Sequence, residues 1–166
     1  MNNYNFSIKC RQEFNVSSST IWNIISKESN LDLYHPFCKK NDVISWKDDN
    51  HHDRLEYLNG VVLERKFTSW NKEKGYELNI GRKNGRHSHV SWRIENISEN
   101  KSALSIEVQP WMINQGNKVF QFFPFRLFVK PQLKSYLNSV LSGLKWHVEN
   151  NEITPKNHFG KLSWFS

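Results

Sequence analysis

From Tyr4 to Phe14 apolar and polar positions alternate. Phe6, Ile8, Cys10 and Phe14 share one face, and Lys9, Arg11 and Glu13 the other, the period of two expected of a half-buried strand. Ser17-Ser-Ser-Thr20 supplies hydroxyls that can accept the orphan N–H groups of a helix start, and Ile21, Trp22, Ile24 and Ile25 continue at helical spacing. Leu31 to Pro36 predicts a second short helix or turn, because proline disfavours helical geometry in the residue before it. Strand-like runs then succeed one another over 43–46, 54–58, 61–70, 76–82, 87–97 and 103–112. The intervening segments are short enough for hairpins. Asn59-Gly60 predicts a type I′ turn, with positive φ at both central residues. Counting the first, seven strands are expected in an antiparallel meander, apolar on one face and polar on the other.

The period changes after residue 112. Leu133, Leu137, Val140, Leu141, Leu144 and Val148 form one stripe on a helix expected from about 131 to 150, or begun near Pro124 and kinked at Pro131. Burying six such side chains is worth roughly 9–18 kcal/mol as an upper bound. The stripe therefore has to lie on the sheet. The expected fold class is α+β: a curved seven-stranded antiparallel sheet, two short helices and a long C-terminal helix in a single domain spanning 1–166, with an aromatic tail over 151–166.

The 166 residues show no linker, low-complexity tract or internal repeat. The start lacks the apolar stretch of a signal peptide. The most apolar window, 119–129, is interrupted by Gln121, Pro124 and Arg126, so it does not read as a bilayer span. Cys10 and Cys38 alone favour free thiols in a reducing compartment, and a cytoplasmic location is expected. Lysines and arginines number 23 against 16 acids, a net charge of +7. The cations are dispersed, with the densest group (Arg82, Lys83, Arg86) in a hairpin turn, so sequence-specific nucleic-acid binding is not the expected use. A basic surface suits anionic ligands or membranes better.

The order strand, two short helices, six strands and one long helix resembles the START-like or SRPBCC superfamily. Leu33-Tyr-His-Pro36 is similar to its Trp-His-Pro turn, with Tyr34 in place of tryptophan, and Glu64-Arg65 to its frequent Glu-Arg pair. Lys130-Pro131 through Gly143-Leu-Lys145 and Glu149 resembles the long helix of bacterial members. Asn157-His-Phe-Gly160 with Trp164-Phe165 resembles a terminal segment found in some of them. The resemblance implies an apolar cavity between the concave sheet and the last helix, used for lipids, sterols, polyketides or similar molecules. Apolar alternation orients the strands and assigns the lining: Leu63, Arg65, Phe67, Leu78, Ile80, Val90, Trp92, Ile106 and Val108 from strands, with Leu137, Leu141 and Leu144 from the helix. A shift of one residue would invert any strand's assignment.

Several residues carry candidate chemistry. Arg65 could anchor a ligand carboxylate or enolate through paired N–H donors; the alternatives are a solvent-facing arginine in a shifted register or one paired with a buried glutamate. His35 and Tyr57 are candidate acid–base groups at the cavity, although a histidine before proline in a loop also reads as structural. His87 and His89 have two-ligand spacing without a matching acid or cysteine, and their face carries Ser91, Arg93 and Glu95. His51-His52-Asp53 reads as part of a polar loop with Asp48 and Asp49. Neither cysteine has a setting that would lower its pKa, and no nucleophile elbow, phosphate loop or zinc-protease motif occurs. No metal or cofactor is expected. Phe120, Phe122, Phe123, Phe125 and Phe128 read first as packing against the sheet rim. The alternative is a greasy portal or transient membrane contact helped by Lys118, Arg126 and Lys130. The leading functional expectation is binding, or transport, of a small hydrophobic ligand or lipid. A cyclase/aromatase-like enzyme and a protein or membrane interaction module are the alternatives.

Overall fold

The computed structural model describes residues 6–114 and 122–166. Its strands are β1 (Ile8–Phe14), β2 (Cys38–Lys47), β3 (Asn50–Tyr57), β4 (Val62–Asn71), β5 (Gly75–Gly81), β6 (His87–Ser98) and β7 (Lys101–Gln109). They form one antiparallel sheet in the order β1-β7-β6-β5-β4-β3-β2. Six consecutive strands make the meander, and β1 closes on its last member, pairing Ile8 with Val108 and Phe14 with Ser102. Between β1 and β2 lie α1 (Ser18–Ile25) and α2 (Leu31–Tyr34). The long helix α3 (Lys130–Asn150) lies against the sheet, which gives the helix-grip arrangement expected from the order of elements.

Local chemistry accounts for the helices. Ser17 caps α1, its hydroxyl accepting the Thr20 N–H at 3.2 Å, and Ile21, Trp22 and Ile25 are buried beneath it. Leu137, Val140, Leu141 and Leu144 of the apolar stripe are buried, and Leu133 and Val148 are half-buried at its ends. Helical structure begins before α3, with a π-helical turn over Phe125–Val129. Pro131 has no N–H to donate to the carbonyl four residues back, and widening the preceding turn is one way to accommodate that gap. Left-handed Asn151 ends α3. The tail then returns over the body: Thr154 donates from its N–H to Leu33 O at 2.9 Å and from its hydroxyl to Gly143 O at 2.8 Å. The Asn157 N–H reaches Pro36 O at 2.9 Å.

Four expectations need correction. The segment 48–53 is not a polar loop: β2 and β3 are longer than expected and join through a tight turn at Asp48-Asp49, leaving His51-His52-Asp53 on β3. The strand was hidden because its inward positions, His51 and Asp53, are polar. At Asn59-Gly60 only Gly60 has positive φ (83°), and its N–H bonds to Tyr57 O at 2.9 Å. The turn is therefore centred one residue earlier than a type I′ hairpin on Asn59-Gly60 requires. The last strand stops at Gln109 because Pro110 cannot donate to the ladder, and a single 3₁₀ turn, Trp111–Ile113, follows. Packing of the phenylalanine cluster holds for Phe125, which is buried against Phe6 with ring centroids 4.8 Å apart. Phe122, Phe123 and Phe128 are exposed, while Phe120 and Lys118 lie outside the described residues.

Candidate functional site

Large aromatic side chains collect at one end of the concave face. Trp22, Trp46, Phe67, Trp70 and Tyr76 pack edge-on or stacked with centroids 5.0–5.6 Å apart in most pairs, and His51 stacks on Trp70 at 3.8 Å. The other end is lined chiefly by aliphatic side chains of moderate size, which do not reach across to the helix. A cavity of about 530 Å³ remains there, between the sheet and α3.

Nine of the twelve side chains assigned to the lining from the sequence border this cavity: Leu63, Arg65, Leu78, Ile80, Val90, Trp92, Ile106, Val108 and Leu137. The other three do not. Phe67 belongs to the aromatic plug, and Leu141 and Leu144 sit further along α3, where the stripe is closed into solid core. Val129, Leu133, Tyr136 and Val140 complete the helix side. The exposed lining residues mark the mouth. They are Arg82, Gly85 and Arg86 in the β5–β6 hairpin, Met112 in the 3₁₀ turn and Trp164 in the tail. Arg86 lies over the Trp111 ring at 5.5 Å, so a basic group and an indole flank the opening together.

Arg65 points inward, as its strand parity predicts, and is 3% exposed. Its Nε donates to Asp53 Oδ1 at 2.8 Å and its Nη2 to Asp53 Oδ2, a forked pair between adjacent strands where Asp53 and Arg65 are in register. Burial by itself would lower the arginine's pKa; the aspartate more than offsets it, so the guanidinium is held firmly charged. Arg65 is therefore not solvent-facing, and its partner is an aspartate, Asp53 on β3, rather than the glutamate considered from the sequence. The pairing leaves the cavity wall close to neutral here, and the cation also faces the Phe67 ring at 5.3 Å.

His35 is buried, and it also borders the cavity. Its Nδ1 accepts the Phe37 N–H at 3.2 Å, and its Nε2 lies 2.8 Å from the Tyr136 hydroxyl, which lies 2.9 Å from the Tyr57 hydroxyl. Burial, reinforced by the positive charge of Arg65, pulls His35 down to about 3. Burial likewise pushes Tyr57 up to about 12 and raises Tyr136. All three are neutral near pH 7. Since Nδ1 is an acceptor, the imidazole proton is on Nε2, and both ring nitrogens are engaged.

The remaining candidates are dispersed. His87 is exposed, and His89 lies with its Nε2 3.7 Å from Glu77 Oε2 on the outer face. Among the described residues no group of three or more histidines, cysteines or acids is placed to hold a metal. Both cysteines are free and buried, and burial raises their pKa, Cys38 to about 12. Tyr136 was missed although it lies three residues after Leu133, within reach of the same stripe. The aromatic tail, with Phe159, Trp164 and Phe165, reads from the sequence either as packing back over the domain or as serving a partner, and at Phe165 it packs back. Phe165 packs against Tyr136, Tyr57 and Phe37 at 4.1–6.2 Å and closes the wall beside the tyrosine pair. No local spacing signals that return; the aromatic content of the tail was its only sign.

No protein-family model matches the sequence, and no curated protein matches it. Solved structures do. A START superfamily protein from Mycobacterium smegmatis superposes with a TM-score of 0.68 over 87% of this chain and 98% of its own, at 14% identity. A protein from Thermus thermophilus gives 0.69 over 88% and 99%, at 11% identity. An aromatase/cyclase from a Streptomyces species gives 0.62 over 88% and 97%, at 10% identity. The chain has the START-like helix-grip fold.

Proposed function

We propose that this START-like chain binds a small hydrophobic molecule between its sheet and α3, and carries or presents it. The observation that supports this best is the cavity itself: about 530 Å³, walled mainly by aliphatic side chains and open at one end. That size lies within the range of small-molecule sites. An apolar space of this volume that reaches the surface, instead of being closed by larger side chains, forgoes packing energy that a purely structural domain would recover. The nine lining residues named above are the proposed contacts. Arg82 and Arg86 at the mouth favour approach of a ligand with an anionic end. Two buried free thiols fit a reducing, cytoplasmic setting. Native mass spectrometry after incubation with fatty acids and aromatic polyketides tests the reading. A one-to-one adduct is the expected result, and the absence of any adduct across both classes would contradict it.

A membrane-contacting role is favoured by a separate observation. Phe122, Phe123, Leu127 and Phe128 are exposed by 42–67%, next to Arg126 and Lys130 and leading into Val129 at the cavity wall. Four large apolar side chains beside cations suit the interface of an anionic bilayer, where ligand could pass to the mouth. The cyclase reading is less well supported. Asp53 occupies the Arg65 fork, and His35 has both nitrogens engaged, so neither is presented as a free anchor or base.

A further inference from the structure

The chain formed by His35, Tyr136 and Tyr57 has more protons than acceptors. With His35 Nδ1 taken by the Phe37 N–H, Nε2–H donates to the Tyr136 oxygen. One further hydrogen bond joins the two phenols at 2.9 Å, in either direction. If Tyr136 donates, the Tyr57 O–H is left over; if Tyr57 donates, the Tyr136 O–H is left over. Three donors thus serve two bonds, and neither hydroxyl has another acceptor among the described residues. All three side chains line the cavity, while Phe165 covers the tyrosine pair from the tail side.

A buried donor without an acceptor is costly, whereas one met by a ligand adds specificity. We propose that this unshared phenolic O–H is a recognition point, and that the ligand is an apolar molecule presenting a carbonyl oxygen to it. The proposal rests on the ligand-binding reading above and adds to it the ligand's polar feature. Because the histidine stays neutral down to about 3 and Tyr57 keeps its proton to about 12, the donor is constant across the range in which the protein would be assayed.

The test uses the full chain with two isosteric probes, methyl naphthyl ketone and isopropenylnaphthalene, which differ by C=O against C=CH₂. The ketone should bind about tenfold tighter, the ratio corresponding to one buried hydrogen bond gained. Its isotope-labelled carbonyl stretch should fall below its value in hydrocarbon solvent. Proton counting then makes an asymmetric prediction. Tyr57→Phe removes a donor together with an acceptor and frees the Tyr136 O–H, so the preference and the shifted stretch persist. Tyr57→O-methyltyrosine keeps the acceptor oxygen and removes only the proton. Tyr136 then donates to it, no phenolic O–H remains unshared, and the preference disappears while the alkene still binds. Should the added methyl displace the alkene as well, Tyr136→O-methyltyrosine closes the same count from the other oxygen. Equal wild-type affinities with an unshifted stretch would overturn this inference alone. A shifted stretch surviving the O-methyl variants would also overturn it, by placing the donor elsewhere, with Arg65 the first alternative. Failure of both probes to bind the wild-type chain would instead overturn the ligand-binding reading beneath it.

Discussion

The Arg65–Asp53 pair joins β4 to β3 where both side chains are buried. Removing one member leaves the other charged without a partner, so Arg65→Met or Asp53→Asn should each cost about 3–5 kcal/mol in denaturant unfolding. Replacing both, as Asp53→Leu with Arg65→Met, should recover most of that loss, because a well-packed apolar pair avoids desolvating two charges. Additive losses in the double variant would show that the residues act separately. His35 makes a second prediction. Its folded pKa is about 3 against about 6.5 in an unfolded chain, so the unfolded state binds the extra proton first. Its contribution is complete above about pH 6.5 and is lost as pH falls from there toward 3, with a slope approaching 1.4 kcal/mol per pH unit. Below about 3 both states are protonated and the term levels off. His35→Asn should flatten the unfolding free energy between pH 6 and about 4 relative to wild type; an unchanged slope would mean that His35 does not titrate in that way.

Among the elements, α3 meets the end of α2 closely at Gly143. A Cβ there would lie 2.1 Å from the Tyr34 carbonyl oxygen and 3.1 Å from Pro36 Cδ, where α2 ends. Helix propensity alone would make Gly143→Ala stabilising by up to about 1 kcal/mol. The steric conflict with backbone reverses the sign, and a loss of about 1–3 kcal/mol is expected in the thermal midpoint or the denaturant midpoint. A gain would mean that α3 can lift from α2 freely. The exposed start of the helix makes a separate prediction. Phe122→Ser with Phe123→Ser should reduce flotation with anionic vesicles while leaving thermal stability within about 0.5 kcal/mol, as surface changes usually do. Unchanged flotation would remove the membrane role. Element by element, the sequence was legible where burial followed hydrophobicity. β4 through β7 and the α3 stripe lie close to where alternation and helical spacing put them. It was illegible where buried positions are polar: β3 turns inward His51, Asp53, Leu55 and Tyr57, and a hydrophobic pattern sees only the last half of that strand.

At the scale of the whole molecule, order of elements was enough to anticipate the helix grip. Parity was enough to place nine of twelve residues around the space beneath it. What could not be read was how that space is divided. The aromatic plug depends on a register shift between Phe67 and Ser69 in β4 that lets Trp70 stack on Tyr76, and no local signal marks such a bulge. The triad of His35, Tyr57 and Tyr136 joins Tyr136 to partners 101 and 79 positions before it, which only the closed fold brings together. Ligand binding in the undivided remainder is the central claim, and dye displacement tests it most directly. A fluorescent apolar dye should bind wild-type protein saturably and be displaced one-to-one by a small hydrophobic ligand. It should bind far more weakly to Val90→Trp, whose indole would occupy the cavity, provided the thermal midpoint shows that variant to be folded. Saturable displacement lost on filling the cavity is the result predicted; no saturable dye binding to the wild type, or equal displacement in the filled variant, would contradict it.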